Sequence, residues 1–185
     1  MEHMSSIDPK THLDPTLNFD TFICSDSNRF TCTVALATAE GRMRDYGNPL
    51  YIFGDSGVGK THLLNAIGNY ALIKDPDLRV LYVEANDFND EFRDALQDPE
   101  EVKEHLAEFN RKYSEIDMLL IDDIQLLSGK NATLEQLLHT FNALKKQNKI
   151  IVVTSDSVAK DLKNFDARLI SLFESGLNVD VKTTD

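Results

Sequence analysis

One octapeptide constrains this chain more than any other feature. Gly54-Asp55-Ser56-Gly57-Val58-Gly59-Lys60-Thr61 fits the pattern G-x-x-x-x-G-K-[ST], and each fixed position has a physical task. The glycines let backbone N–H groups turn inward around phosphate oxygens, at dihedrals that other residues resist. The lysine ammonium reaches the β- and γ-phosphates, and the threonine hydroxyl ligates magnesium. A helix starting here aims the positive end of its dipole at the anion. Such a loop needs a strand before it and a helix after it. Leu50–Phe53 is an apolar run that reads as the strand, and residues 61–73 carry a helical pattern. The expected ligand is ATP or ADP, with Mg2+.

The rest of the chain repeats that alternation. Apolar runs at 80–83, 118–121 and 150–154, with a shorter one at 177–181, show no in–out alternation. Runs of this kind suit a parallel sheet covered on both faces. Helical patterns lie between them. Residues 28–44 are Ala-rich and follow Ser25, Asp26 and Ser27, all capping types. Further helices are expected at 87–96, 98–113, 133–147 and 167–174. Asp98-Pro99-Glu100-Glu101 reads as an N-cap, a first-turn proline and a capping-box glutamate, and Thr133 with Gln136 reads the same way. Gly176 is expected to stop the final helix. The fold class is therefore α/β: a three-layer α/β/α domain with right-handed crossovers. A chain of 185 residues has room for one such domain and short tails. The polar stretch 1–16, with Pro9 and Pro15, is expected to be a flexible tail, leaving 17–185 as the domain. The acidic run 98–108 reads as a solvated helix face.

Composition narrows the classes. No run of eighteen residues is apolar throughout, and the N-terminus lacks the apolar centre of a signal peptide, so a cytoplasmic protein without a membrane segment is expected. A formal net charge of −12 disfavours a surface built mainly to coat DNA, because phosphate contacts need Lys and Arg. Cys24 and Cys32 stand alone, and the 5 His residues are scattered, so no zinc spacing appears. Two buried thiols in a reducing compartment are expected.

Hydrolysis needs a metal-organising carboxylate and a group that orients water. Met118-Leu119-Leu120-Ile121-Asp122-Asp123 places two acids at the end of a strand, where ligands bind in open α/β sheets. Asp122 would hold Mg2+ together with Thr61, and Asp123 would position or activate the attacking water. The strand at 150–153 ends in Thr154-Ser155-Asp156. A polar group at that tip can sense the γ-phosphate, with Asp156 as the candidate, or Ser-Asp can be an ordinary helix cap.

Several longer pieces then fall into place. Asn18-Phe19-Asp20-Thr21-Phe22 and Ser27-Asn28-Arg29-Phe30 come first. The loop runs on into Thr61-His62-Leu63-Leu64-Asn65-Ala66-Ile67-Gly68-Asn69. Asp122-Asp123-Ile124-Gln125, His139-Thr140-Phe141-Asn142-Ala143-Leu144 and Thr154-Ser155-Asp156 follow. In this order, over about residues 17–180, the chain resembles the ATPase domain of the DnaA family of bacterial replication initiators, within the AAA+ superfamily. The resemblance implies an AAA+ nucleotide-binding subdomain with a five-stranded sheet of order 5-1-4-3-2. It implies that Phe22 and Ile23 with Asn28 line an adenine pocket, that His62 joins Gly54, Asp55, Ser56, Gly57, Val58, Gly59, Lys60 and Thr61 in the nucleotide-binding set, and that Asp156 is the first sensor. It further implies ATP-driven assembly with itself or a full-length initiator, and origin DNA as the target of that assembly. Capping or restraint of initiator filaments is the alternative role.

Departures from the family pattern also carry expectations. The chain ends at Asp185, where the family enters its helical lid, so the lid is expected to be absent. Leu172 occupies the usual place of the arginine finger, while Arg168 is retained. Very slow hydrolysis in isolation is therefore expected. In the region that faces single-stranded DNA, Arg93 stands where an aliphatic residue is common and Ala132 where a basic one is common. The acidic insertion within 98–108 opposes phosphate binding there.

Overall fold

In the computed structural model, which describes residues 7–183, each apolar run forms a strand. These are β1 (Leu50–Phe53), β2 (Val80–Glu84), β3 (Met118–Asp122), β4 (Ile150–Ser155) and β5 (Leu177–Asp180). They form one sheet of order β2-β3-β4-β1-β5, with every neighbouring pair parallel. Read from the other edge this is the expected 5-1-4-3-2. The helices between them are α1 (Arg29–Ala39), α2 (Lys60–Lys74), α3 (Ala85–Ala95), α4 (Val102–Ser114), α5 (Asn131–Lys146) and α6 (Ala167–Ser175).

The unbroken apolar character of the strands follows from burial on both sides. Leu81, Val83, Leu119, Ile121, Ile151 and Val153 face one core, which α3 to α6 cover through residues such as Phe88, Phe109, Phe141 and Phe173. Val80, Tyr82, Met118, Leu120, Ile150 and Val152 face the other, which α1 and α2 cover through Val34, Leu63, Leu64 and Ile67. Successive residues point to opposite faces, so each strand supplies both cores. The parallel register aligns the carboxyl ends of the four strands that matter: Glu84 sits beside Asp122, and Phe53 beside Ser155.

Several boundaries differ from the sequence reading. The first helix ends at Ala39 and not near 44, and the capping-type residues before it form a short 3-10 turn, Asp26–Asn28. Asp98 does close a turn, accepting from the Glu100 N–H at 3.0 Å, but α4 begins only at Val102. Thr133 is no cap. It lies inside α5, buried, and donates to Asn89 Oδ1 at 2.6 Å, tying α5 to α3. Gly176 ends α6 for a reason other than a left-handed turn: its φ is −87°. A Cβ there would meet the Pro49 carbonyl oxygen at 1.9 Å, so glycine is needed for close approach to the start of β1.

The expected tail 1–16 is only partly testable, since residues 1–6 lie outside the described residues. From Thr11 on, the segment belongs to the packed body. Thr11 O accepts the Tyr82 N–H at 2.9 Å along the β2 edge, and Leu13 is 1% exposed in the α1–α2 core. The Asp14 N–H donates to Asn65 Oδ1 at 2.9 Å, and Asn69 donates to the carbonyls of Asp14 and Leu17. The free-thiol expectation is corrected as well. Cys24 and Cys32 form a disulfide, and Cys24 is exposed. The intervening 3-10 turn folds the chain back, bringing their Cα atoms to 6.4 Å. A spacing of eight residues cannot reveal that reversal. The run 98–108 is largely solvent-exposed, as a charged helix face should be.

Candidate functional site

The phosphate loop leaves the sheet between β1 and α2. The Gly54 N–H donates to the Ser155 carbonyl at 3.2 Å, which fixes the base of the loop to the end of β4. Gly57 and Gly59 then take φ of 81° and 102°, in the left-handed region where a side chain is disfavoured. At Gly59 a Cβ would also lie 3.1 Å from the Phe22 ring. Lys60 begins α2 and is 7% exposed. Its ammonium donates to the carbonyls of Gly54 and of Asp55, the latter at 2.7 Å, so the charge sits in the hollow of the loop.

Two cavities flank this loop. One, of about 460 Å³, lies between Lys60 and Thr61 on one side and Asp123, Gln125 and Asp156 on the other. The second, of about 620 Å³, is walled by Gly54, Val58, Ser27, Val181 and Lys182, and Asp156 lines it too. Both fall in the size range of small-molecule sites.

Asp122 closes β3 and is 2% exposed. Its Oδ2 accepts from the Thr61 hydroxyl at 2.6 Å and from the Tyr82 hydroxyl at 2.7 Å. Its Oδ1 accepts from the Thr154 hydroxyl. A buried carboxylate is tolerable only when bonded in this way. Burial, with Asp122 next in weight, pushes the Tyr82 hydroxyl far above its usual range, so it stays a proton donor.

Asp123 follows with a left-handed backbone, φ 61°, and its N–H donates to Thr154 Oγ1 at 2.9 Å. Burial and then the neighbouring Asp122 push the Asp123 carboxyl up, against the opposing pull of Gln125 and Lys60. Glu84 is raised too, first by burial and then by Asp87, Asp122 and Asp123. Acid is thus crowded at the ends of β2 and β3, as a cation site requires. Among the described residues no group of three or more His, Cys, Asp or Glu could hold a metal alone. Thr61 and Asp122 supply two adjacent oxygens. That donor set fits Mg2+, which binds through one or two protein oxygens plus phosphate oxygens and water.

The base-side candidates are placed differently. The Phe22 ring stands edge-on to His62, with centroids 5.3 Å apart. Ile23 is 71% exposed, and neither residue lines the two cavities. Asn28 is 1% exposed and its amide is engaged in both directions with the backbone of Lys182, donating at 3.0 Å and accepting at 2.9 Å. It thereby holds a wall of the larger cavity. His62 Nε2 bonds Asn18 O at 3.0 Å and Thr21 Oγ1 at 2.9 Å, anchoring the turn that carries Phe22. Asp156 is exposed at the tip of β4. The Ser157 N–H is turned to Ser155 Oγ at 3.3 Å, a local turn bond and not a helix cap, since the next 3-10 turn, Ala159–Asp161, follows Val158 without a side-chain cap. Leu172 packs half-buried against the α3–α6 core, and Arg168 pairs with Asp166 at the start of α6, at 2.7 Å.

Sequence reasoning missed Tyr82. It lies hidden in an apolar run, yet a tyrosine inside a buried strand signals a hydroxyl in need of a partner. Thr154 was read only as part of a polar strand tip, and its bonds to both acids emerge from the fold.

The family model of the bacterial DnaA ATPase domain matches residues 13–180. The chromosomal replication initiator protein DnaA of Bifidobacterium animalis subsp. lactis (strain AD011) is 55% identical over 178 residues, covering 95% of this chain. This chain spans only 30% of that relative's length. Among solved structures, domain III of the Thermotoga maritima replication initiation protein DnaA superposes with a TM-score of 0.86 at 40% identity, over 95% of this chain and 70% of that one. A replication initiator DnaA bound to AMPPCP and single-stranded DNA superposes with a TM-score of 0.83 at 35% identity, over 93% of this chain and 51% of that one. No helix among the described residues is long and apolar enough to cross a membrane.

Proposed function

The chain belongs to the family of bacterial DnaA ATPase domains, and from that premise we propose that it is the ATP-binding part of a cytoplasmic replication initiator. It takes ATP or ADP with Mg2+ at the loop of Gly54 to Thr61, and the bound nucleotide drives assembly with itself or with full-length initiator at origin DNA. The observation that carries this reading is that Lys60, held in the hollow of the loop, and Thr61 line one cavity, with the Thr61 hydroxyl 2.6 Å from the Asp122 carboxylate. A relative bound to AMPPCP and single-stranded DNA supports it.

Each residue has a separable task. Loop N–H groups and the start of α2 cradle the phosphates, and Lys60 neutralises their charge. Thr61 and Asp122 would hold Mg2+, which when bound offsets charge on the β- and γ-phosphate oxygens. Asp123, its carboxyl raised, is suited to accept a proton from an attacking water, and Asp156 reaches the same cavity from β4. Phe22, Ile23 and the segment held by Asn28 form the base side.

Leucine at position 172 cannot stabilise a neighbour's γ-phosphate. An arginine finger is worth about three to five orders of magnitude in rate in related systems. The chain in isolation therefore hydrolyses nucleotide very slowly. The leucine at position 172 also favours a second reading, in which a subunit without the finger joins and caps initiator filaments.

Titration calorimetry of wild type and Lys60→Ala with ATP tests the binding site, and unchanged affinity overturns it. Single-turnover hydrolysis tests the catalytic claim, and robust turnover without a partner overturns that. Mixing the chain with full-length initiator on origin DNA separates assembly from capping: extension of filaments supports the first, shortening the second.

A further inference from the structure

The carboxylate proposed to hold magnesium is gripped from both neighbouring strands. Tyr82, in β2, donates to Asp122 Oδ2 at 2.7 Å, and Thr154, in β4, donates to Oδ1. β3 lies between those strands, with Glu84 in register beside Asp122 and Ile121 beside Val153. The two hydroxyls therefore arrive from opposite sides and take different oxygens. Two donors on two oxygens set the plane of a carboxylate, which a single donor cannot do.

The hydrogen-bond directions are forced. The Asp123 N–H can only donate, so Thr154 Oγ1 accepts it at 2.9 Å and its own proton goes to Asp122. One threonine hydroxyl thus orients the first acid and anchors the backbone of the second. Both hydroxyls are shielded from competing water: Tyr82 is 9% exposed and Thr154 0%. The Tyr82 ring packs in the α1–α2 core, a place that phenylalanine would fill as well, so the hydroxyl's role is separable from packing. Thr61 holds the third bond to this carboxylate, on the side of the phosphate loop. A metal binding there would engage the Thr61 oxygen, leaving the bonds from Tyr82 to Oδ2 and from Thr154 to Oδ1 to hold the carboxylate.

We infer that Tyr82 and Thr154 are positioning residues for magnesium-dependent nucleotide binding, fixing the Asp122 carboxylate so that it and the Thr61 hydroxyl face the cation together. The inference rests on the nucleotide site proposed above and adds two residues that line neither cavity beside the loop. Partners behind a metal ligand typically contribute about ten- to a hundredfold in metal affinity.

The test uses the full chain and ATP, with affinity measured in excess EDTA and then across a Mg2+ titration. Tyr82→Phe and Thr154→Val should each raise the Mg2+ concentration for half-maximal tightening by about tenfold, while affinity in EDTA stays within about twofold of wild type. Thr154→Ser, which keeps the hydroxyl, should restore the wild-type Mg2+ response. Electron paramagnetic resonance of Mn2+ added with ATP gives a direct readout, with weaker Mn2+ retention in the first two variants only. Equal weakening with and without Mg2+ would mark a packing effect and overturn the inference, as would a wild-type Mg2+ response in Tyr82→Phe. Lys60→Ala, run in parallel, should weaken binding in EDTA too. If it does so while the Mg2+ response of the positioning variants stays normal, only this inference fails. If ATP binding ignores Lys60→Ala, the nucleotide site fails and takes the inference with it.

Discussion

On the phosphate side of the candidate site, Lys60, Asp122 and Thr154 are each 7% exposed or less and are bonded directly to the ends of β1, β3 and β4. On the base side, Phe22 and Ile23 lie in a segment outside the sheet, held by His62 before it and by the Cys24–Cys32 disulfide and Asn28 after it. Strand register sets the first geometry, and side-chain tethers set the second. The contrast predicts that phosphate-side substitutions change binding with little effect on folding, whereas base-side substitutions change folding more than binding.

The largest effect is expected at Lys60. Its ammonium would make two or more charge-assisted bonds to phosphate, each worth about 1.5–3 kcal/mol. Lys60→Ala should therefore weaken ATP binding at least about a hundredfold by calorimetry. Asp122→Asn comes next. It keeps the shape of the carboxylate and removes its charge, so it should abolish most of the Mg2+-dependent tightening, about ten- to a hundredfold, and leave affinity in EDTA nearly intact.

Asn28→Ala should show the opposite balance. It deletes two bonds to the Lys182 backbone in a buried setting, a loss of about 2 kcal/mol. That predicts a melting temperature about 4–8 °C lower, with ATP affinity reduced less than about tenfold. A fall in affinity as large as that of Lys60→Ala would break the comparison. A loss confined to melting temperature would sharpen it.

The smallest effect concerns pH. In the fold the Asp123 carboxyl is held above its ordinary value of 3.8, first by burial and then by Asp122. Its protonated form therefore favours the native state. That contribution is fully present below the unfolded pKa and is lost as pH rises through the folded one. Asp123→Asn should raise the melting temperature slightly relative to wild type at pH 7, and the gap should close as pH falls toward 4. A gap that stays constant across that range would assign the effect to packing and not to charge.

Legibility from sequence divides along the same line as the site. The phosphate loop, the strands and the two acids were readable because each is a contiguous run whose chemistry requires fixed residue types at fixed spacing. Order 5-1-4-3-2 came only from the resemblance, since apolar runs do not state their neighbours. The bonds of Tyr82 and Thr154 are not legible because their partner, Asp122, lies 40 and 32 residues away in the chain. Thr133 was misread because a threonine followed three residues later by glutamine has the look of a cap, while the bond to Asn89 that explains it crosses 44 residues. The segment after Thr11 looked like a tail because its apolar content is only Leu13 and little more. It is held instead by His62, Asn65 and Asn69, one helical turn apart on α2.

By itself, then, the sequence determined that this chain makes a parallel α/β domain with a phosphate loop and a pair of acids at the end of a strand. Those outcomes depend on local periodicity and on short motifs whose atoms are neighbours along the chain. Tertiary structure alone decided which hydroxyls grip Asp122, that Asn28 holds a cavity wall through Lys182, and that Cys24 meets Cys32 across a reversed turn. These are contacts between distant or folded-back residues, and only the packing of helices on both faces of the sheet brings them within bonding distance.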